Sequence, residues 1–173
     1  GGGIRVDIPA GDITYGQIIA VHPFGNEMCV IEATGQQILD ALELGAMNTP
    51  GESGGFLQVS GLTYEIDLSV PSSGQQDENK MFTGVAGDYR VKNVMVGEEP
   101  LDLTRTYTLA SHNYMLKSAG DGFAMFQGCK LLQDSVMIDN QVLINYIVDV
   151  LGGVVGEEYS DPYGQGRITV LEG

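Results

Sequence analysis

The sequence predicts an α+β fold, a mixed β-sheet with packed helices in a single domain. Strand-like and helix-like segments are interspersed without the regular alternation that builds a parallel sheet. Two Thr-x-x-Gln patterns, at Thr14 and Thr34, mark helix starts next to apolar runs. The 173 residues, with 43% hydrophobic and 18% charged content, suffice for one domain with a sizeable core.

Taken in order, Gly3 to Ile8 reads as a short strand ending at Pro9. The Thr14/Gln17 pair starts a short helix that runs through Val21. Met28 to Ala33 is apolar enough for a strand. Thr34 and Gln37 open a second helix, which places Ile38, Ala41, Leu42 and Gly45 on one face. Asn48-Thr49-Pro50-Gly51 ends it. Leu57 to Val59 and Leu62 to Leu68 read as strands. In the second, Leu62, Tyr64, Ile66 and Leu68 alternate with Thr63, Glu65 and Asp67, the pattern of a strand with one wet face. Residues 70–82, with Pro71, Gly74 and charges up to Lys80, read as a mobile loop. Tyr89 to Val96 and Thr106 to Ser111 read as further strands. Asp139 and Asn140 offer a cap for a helix carrying Val142, Leu143, Tyr146, Ile147 and Val150, stopped by Gly152-Gly153. Ile168 to Leu171 is expected to close the sheet.

Charge and composition exclude several classes of function. A net charge of −15 with only eight Lys and Arg opposes nucleic acid as a partner, because a phosphate backbone needs a basic surface. A phosphate-bearing ligand requires a local cation, either Arg5 or metal ions supplied elsewhere. No apolar run reaches membrane-spanning length, and no signal peptide stands at the start. Cys29 and Cys129 form no CxxC pair, which argues against structural zinc. Cys29 reads as a small buried hydrophobe, and a bond to Cys129 is left open. His22 and His112, the only histidines, read as turn or hydrogen-bonding residues. There is no HExxH, Walker or EF-hand pattern, and Ser111 beside His112 is not triad geometry. No metal site and no catalytic set are expected within this chain.

Three segments carry the functional signal. The chain opens Gly1-Gly2-Gly3-Ile4-Arg5. It continues with Pro23-Phe24-Gly25-Asn26 and later with Tyr114-Met115-Leu116-Lys117-Ser118-Ala119-Gly120-Asp121-Gly122-Phe123. In the last, an acid sits between two glycines that permit a sharp turn. Alone, each segment is also consistent with a turn or a core residue. In this order and at these separations the set resembles the C-terminal domain of the 5'-nucleotidase family, which includes UDP-sugar hydrolases and 2',3'-cyclic phosphodiesterases. Gly54-Gly55-Phe56-Leu57-Gln58-Val59-Ser60-Gly61 and Gly166-Arg167-Ile168 are lesser matches, so the resemblance spans residues 1–173.

The resemblance implies roles for six residues. Arg5, which composition alone would pair with one of the many carboxylates, is by the resemblance the family's arginine that contacts the nucleotide. Phe24 is one wall of a base-stacking clamp, and Asp121 accepts the ribose hydroxyls. Asn26 either hydrogen-bonds the base edge or satisfies its own turn. Two departures stand out. Ala119-Gly120 replaces the family's Gly-Gly. The family's second stacking aromatic lies six residues before the aspartate, where this chain has Met115, with Tyr114 one position earlier. Either Tyr114 stacks, or Met115 covers the base with its polarizable sulfur, or base binding is altered; we favour Tyr114. In a strand, a one-residue offset would point the two side chains in opposite directions.

The implied function is that of a nucleotide- or nucleoside-binding specificity domain of a phosphohydrolase. In the family, a separate N-terminal metallophosphoesterase domain carries two divalent metal ions and a His-Asp pair. This domain would have no cofactor and no hydrolase activity alone, and would reach the metals by a domain rotation. The opening on Gly1 leads us to expect a fragment with an incomplete site and weak affinity. Family resemblance implies an extracellular, periplasmic or cell-surface location. The competing expectation is a non-catalytic cell-surface binding or adhesion module that keeps the fold. A preference for nucleotide sugars or cyclic nucleotides is a third.

Overall fold

The structure, a computed structural model, describes residues 2–161 and 164–172. Both Thr-x-x-Gln patterns are helix starts. Thr14 Oγ1 accepts the Gln17 N–H at 3.3 Å while Gln17 Oε1 accepts the Thr14 N–H at 2.7 Å, opening α1 (Tyr15–Val21). Thr34 and Gln37 repeat the exchange at 3.2 and 2.8 Å, opening α2 (Gly35–Ala46). Each exchange satisfies N–H groups that a helix start leaves without partners. The strand β1 (Met28–Thr34) runs directly into α2 and buries every second residue, Cys29, Ile31 and Ala33.

Two larger sheets and one hairpin organise the rest. In the first sheet β1 is central, with β7 (Thr106–His112) antiparallel on one side and β8 (Lys130–Gln133) antiparallel on the other. In the second, β2 (Leu62–Asp67) pairs antiparallel with β5 (Val91–Val96) and parallel with β9 (Ile168–Leu171). A two-residue β6 (Glu99–Pro100) flanks β5. The hairpin joins β3 (Gly74–Gln76) to β4 (Phe82–Val85). A mixed sheet with interspersed helices is the α+β architecture expected from the sequence. Helix α2 packs between the sheets, touching β1 of one and β5 of the other. Its predicted face is buried, and so is every residue from Ala41 to Ala46. Tyr64 and Ile66 project into the same core, as the alternation in β2 requires.

Among the described residues, one carboxylate lies fully inside the core. Glu43, on α2, accepts the N–H of Arg90 (3.2 Å) and of Val91 (2.9 Å) through its two carboxylate oxygens. The buried Arg90 guanidinium donates to the carbonyls of Thr49 (2.8 Å), Ala46 (3.4 Å) and Val70 (3.0 Å). Together they fasten the end of α2 to the start of β5. Both cysteines are free, with Cys29 buried.

Several expectations need correction. Residues 3–8 are irregular, not a strand. Ile4 and Val6 stay exposed, and the Arg5 N–H bonds the carbonyl of Val21 at 3.1 Å instead of a neighbouring strand. Residues 57–59 are also irregular, although Leu57 and Val59 pack against the core. The segment 70–82 is not a loop throughout. It holds β3 and reaches β4 through a turn in which Asp77 Oδ1 accepts the N–H groups of Asn79 and Met81, each at 2.9 Å. Helix α4 (Asp139–Asn145) starts at Ile138 with no side-chain cap, so Asp139 sits in its first turn, where a carboxylate favours the helix dipole. It widens into a π-helical turn at Tyr146–Val150, and Gly152 and Gly153 end it at φ 67° and 87°. The last expected strand is present with the bounds expected: β9 (Ile168–Leu171) is the edge strand of the second sheet, beside β2.

Candidate functional site

The register of the first sheet creates the site. Met28 at the start of β1 faces His112 at the end of β7. The chain entering β1, Phe24 to Asn26, and the chain leaving β7, Tyr114 and Met115, therefore emerge at the same end of the sheet. A cavity of about 440 Å³ opens there. Arg5, Phe24, Asn26, Tyr114, Met115 and Asp121 all line it.

The N-terminal segment is laid along the Gly54-Gly55 turn. The Gly2 N–H donates to the Gly54 carbonyl at 2.7 Å, and a Cβ on Gly2 would come within 3.3 Å of Gly54 Cα. Arg5 is exposed, and its Nη1 donates to the Gly2 carbonyl at 3.2 Å. Its guanidinium carbon lies 5.7 Å from the Phe24 ring centre, in cation–π range. Among the described residues no carboxylate pairs with Arg5. A salt-bridge role, the simpler expectation from composition, is not what the geometry shows.

Phe24 is 60% exposed, so it is not a core residue. Gly25 turns the chain behind it at φ 65°. The Asn26 carbonyl accepts the Asp139 N–H at 2.8 Å, which ties the turn to α4. Among the described residues the Asn26 side-chain amide makes no hydrogen bond, so it is not committed to its own turn.

Tyr114 and Met115 lie on α3 (Asn113–Leu116), a single helical turn, so the opposite-facing offset of a strand does not apply to them. His112 caps it, Nδ1 accepting the Met115 N–H at 3.3 Å. Asn113 pins it to the lead into β1, its Oδ1 accepting the Glu27 N–H at 3.2 Å. Side chains one residue apart on a helix diverge by about 100°, not 180°. Both can border one cavity, Tyr114 from the open side at 44% exposure and Met115 from the buried side at 8%.

The acidic turn is conformationally demanding. Ala119 (φ 52°) and Asp121 (φ 56°) both adopt left-handed backbone. Asp tolerates this region, whereas alanine stays there at a cost of roughly 1 kcal/mol. That is the consequence of having Ala where the resembled family has Gly. The Tyr114 ring rests directly on Gly120, where a Cβ would lie 2.2 Å from Cε1. Asp121 Oδ1 accepts the Tyr114 hydroxyl at 3.2 Å.

Other lining residues had weaker signals. Gly54 to Leu57 belong to a lesser sequence match and contribute backbone to the wall. Phe123, fully buried and stacked near Phe126 at 6.4 Å, closes the floor. His112 reaches the cavity only because β7 ends there, and nothing in its sequence neighbourhood announces it. A larger cleft of about 1140 Å³ lies between residues 8–18 and 143–160. Its walls combine aliphatic side chains with Tyr15, Tyr146 and Tyr159; the Tyr146 and Tyr159 hydroxyls bond each other at 2.9 Å and the Tyr15 hydroxyl donates to Gln141 at 2.9 Å, and among the described residues Asp12 is the one charged side chain lining it.

Burial pushes the His112 imidazole below 6.5, outweighing the opposite pull of Asp139 and Asp121. The unfolded chain therefore binds the His112 proton more readily than the folded one. The cap's stability is full above pH 6.5 and is lost as pH falls through the lowered value. Thermal melts from about pH 8 to about pH 5 should show this loss, and His112→Asn, which keeps an acceptor and does not titrate, should flatten it. Equal pH slopes in both proteins would contradict this role. Asp67, held at about 2 by Lys92, loses its contribution in a separate, lower window, below 3.8.

Among the described residues no three His, Cys, Asp or Glu side chains are grouped to hold a metal ion. Among them, too, no helix is long and apolar enough to cross a membrane.

Comparison with known proteins points one way. The family model described as 5'-nucleotidase, C-terminal domain, matches residues 1–128. The trifunctional nucleotide phosphoesterase protein YfkN of Bacillus subtilis is 32% identical over 142 residues, which cover 82% of this chain and 9% of that protein. An apyrase of Tabanus yao is 31% identical, covering 99% of this chain and 29% of its own. Among solved structures, a 5'-nucleotidase precursor from Thermus thermophilus superposes with a TM-score of 0.78 at 35% identity, over 99% of this chain and 30% of that one. The chain thus spans less than a third of the length of these relatives.

Proposed function

The chain belongs to the family of 5'-nucleotidase C-terminal domains, and from that premise we propose that the cavity at the end of β1 and β7 holds the base and ribose of a nucleotide or nucleoside. The supporting observation is convergence. Three segments far apart in sequence bring a guanidinium, two exposed aromatic rings and a carboxylate to one cavity of about 440 Å³. That volume falls within the range of about 300–1,000 Å³ usual for small-molecule sites.

Each group has a part. Phe24 and Tyr114 offer π faces to the base, with Met115 packed beside them. Asn26 offers a donor and an acceptor to the base edge. Asp121 accepts ribose hydroxyls. Arg5, free of carboxylate partners among the described residues, offers its charge to the phosphate side. We assign no catalytic residue to this domain. Its contribution is orientation, which converts binding energy into a correctly placed scissile bond.

In the intact protein we place the chemistry on an N-terminal metallophosphoesterase domain whose two divalent ions activate water and clamp phosphoryl oxygens. The residues described here do not fit such a metal centre, and no metal step runs through them. A hinge-type rotation would carry the held nucleotide to that domain. Family membership favours a location outside the cytoplasm.

Calorimetric titration with adenosine tests the reading. The wild-type chain should bind weakly, and Phe24→Ala should lose about 1–3 kcal/mol of binding through the lost stack. Equal binding by both, with the fold intact, would show that the base lies elsewhere.

A further inference from the structure

Tyr114 and Met115 reach the cavity on a single turn of helix, and a turn that short has little of its own to hold its shape. We propose that His112 is the positioning residue of this turn: only the neutral imidazole keeps α3 in the arrangement that receives a nucleoside, so ligand binding and protonation of His112 exclude each other. This inference rests on the nucleoside reading above and adds to it a pH control of the same site.

Three observations carry it. First, the cap bond needs a lone pair. His112 Nδ1 accepts the Met115 N–H at 3.3 Å. An imidazolium donates from both nitrogens and accepts at neither. Protonation therefore sets two donors against each other, and the ring must turn away. Second, the bond holds a wall of the cavity. Tyr114 and Met115 both line it, and so does His112, whose ring lies 6.0 Å from that of Tyr114. Third, the other ties of α3 lie elsewhere. Asn113 is fixed to Glu27 through its N–H (2.8 Å) and its Oδ1 (3.2 Å). The Tyr114 hydroxyl reaches Asp121, at the far end of the side chain. Neither tie meets the Met115 N–H, which is partly buried and loses its acceptor when the imidazole charges.

The surroundings set the balance. Burial, the largest influence, keeps the proton off His112. Asp139 in the first turn of α4 and Asp121 in the acidic turn pull it on, and positive charge at the start of the chain opposes them. Glu27, ahead of β1, commits its carboxylate to the Ser135 hydroxyl. A nucleoside filling the cavity strips more water from the ring and deepens its preference for the neutral form.

Wild type, His112→Asn and His112→Ala are titrated calorimetrically with adenosine, which stays uncharged from about pH 8 to about pH 5. At about pH 8 the asparagine variant, which keeps a side-chain acceptor, should bind like wild type, and the alanine variant about tenfold more weakly. As pH falls to about 5, wild-type affinity should drop, approaching about tenfold per pH unit once the imidazole is mostly charged, while that of His112→Asn stays level. The His112 Cε1–H resonance, followed by NMR beside that of His22, should titrate at lower pH with adenosine bound than without it. A merely structural cap would shift the melting temperature with pH and leave the affinity of the folded protein unchanged. That result would overturn the proposal. So would an alanine variant that binds like wild type at about pH 8, or equal pH slopes in wild type and His112→Asn. Those outcomes leave the nucleoside site standing, whereas a wild type that binds no adenosine at about pH 8 overturns both readings.

Discussion

Asp121→Ala is expected to weaken nucleoside binding by about 2–3 kcal/mol, from the loss of charge-assisted bonds to the sugar. Two effects add. The carboxylate disappears, and the Tyr114 hydroxyl loses the acceptor that holds it at 3.2 Å. The substitution also places alanine at φ 56°, a region that aspartate tolerates better. Asp121→Asn separates these contributions. It retains the left-handed turn and a carbonyl acceptor for Tyr114 but removes the charge. Calorimetry on both variants, alongside thermal melts, distinguishes a lost contact from a lost turn. The asparagine variant should melt like wild type and still bind more weakly. Wild-type affinity in both would mean that the carboxylate does not touch the ligand.

The largest expected effect on stability is at Glu43. Glu43→Ala should cost about 3–5 kcal/mol. It strips two buried N–H groups, those of Arg90 and Val91, of their only carboxylate acceptor, and it leaves the Arg90 guanidinium as the remaining buried charge. It also opens a void in a helix packed on all sides from Ala41 to Ala46. Glu43→Gln keeps one acceptor oxygen and should fall between. Urea denaturation reads the change as a shifted midpoint at constant slope. A loss below about 1 kcal/mol would show that the network is not what fastens α2 to β5.

Local signals were the legible ones. The Thr14/Gln17 and Thr34/Gln37 exchanges span three residues, so sequence alone specifies them, and the two helices start where expected. The alternation of β2 and the apolar run of β1 were equally direct. Pairing was not legible. Residues 3–8 have the composition of a strand, but the fold offers Arg5 only the Val21 carbonyl. Conversely, β8 has little strand character of its own and exists because β1 presents an edge to it. Residues 70–82 are polar and turn-rich, which hid the hairpin held by Asp77. One turn of helix at α3 depends on His112 acting as a cap, a geometric accident of where β7 stops.

The candidate site divides in the same way. Arg5, Phe24, Asn26, Tyr114, Met115 and Asp121 could be named from three short segments, and the structure sets all six around one cavity. What joins them is the β1–β7 register, Met28 opposite His112, which no local pattern encodes. The supporting wall from Gly54 to Leu57, the floor at Phe123 and the Tyr114–Asp121 bond are products of tertiary packing, visible only once the chain is folded.

The most direct test is a crystal structure of this chain with adenosine. The expected result is a base against Phe24 and Tyr114 and ribose hydroxyls within hydrogen-bond distance of Asp121. Adenosine lodged instead in the cleft beside Leu143 and Val154, with the cavity between Arg5 and Asp121 untouched, would contradict it.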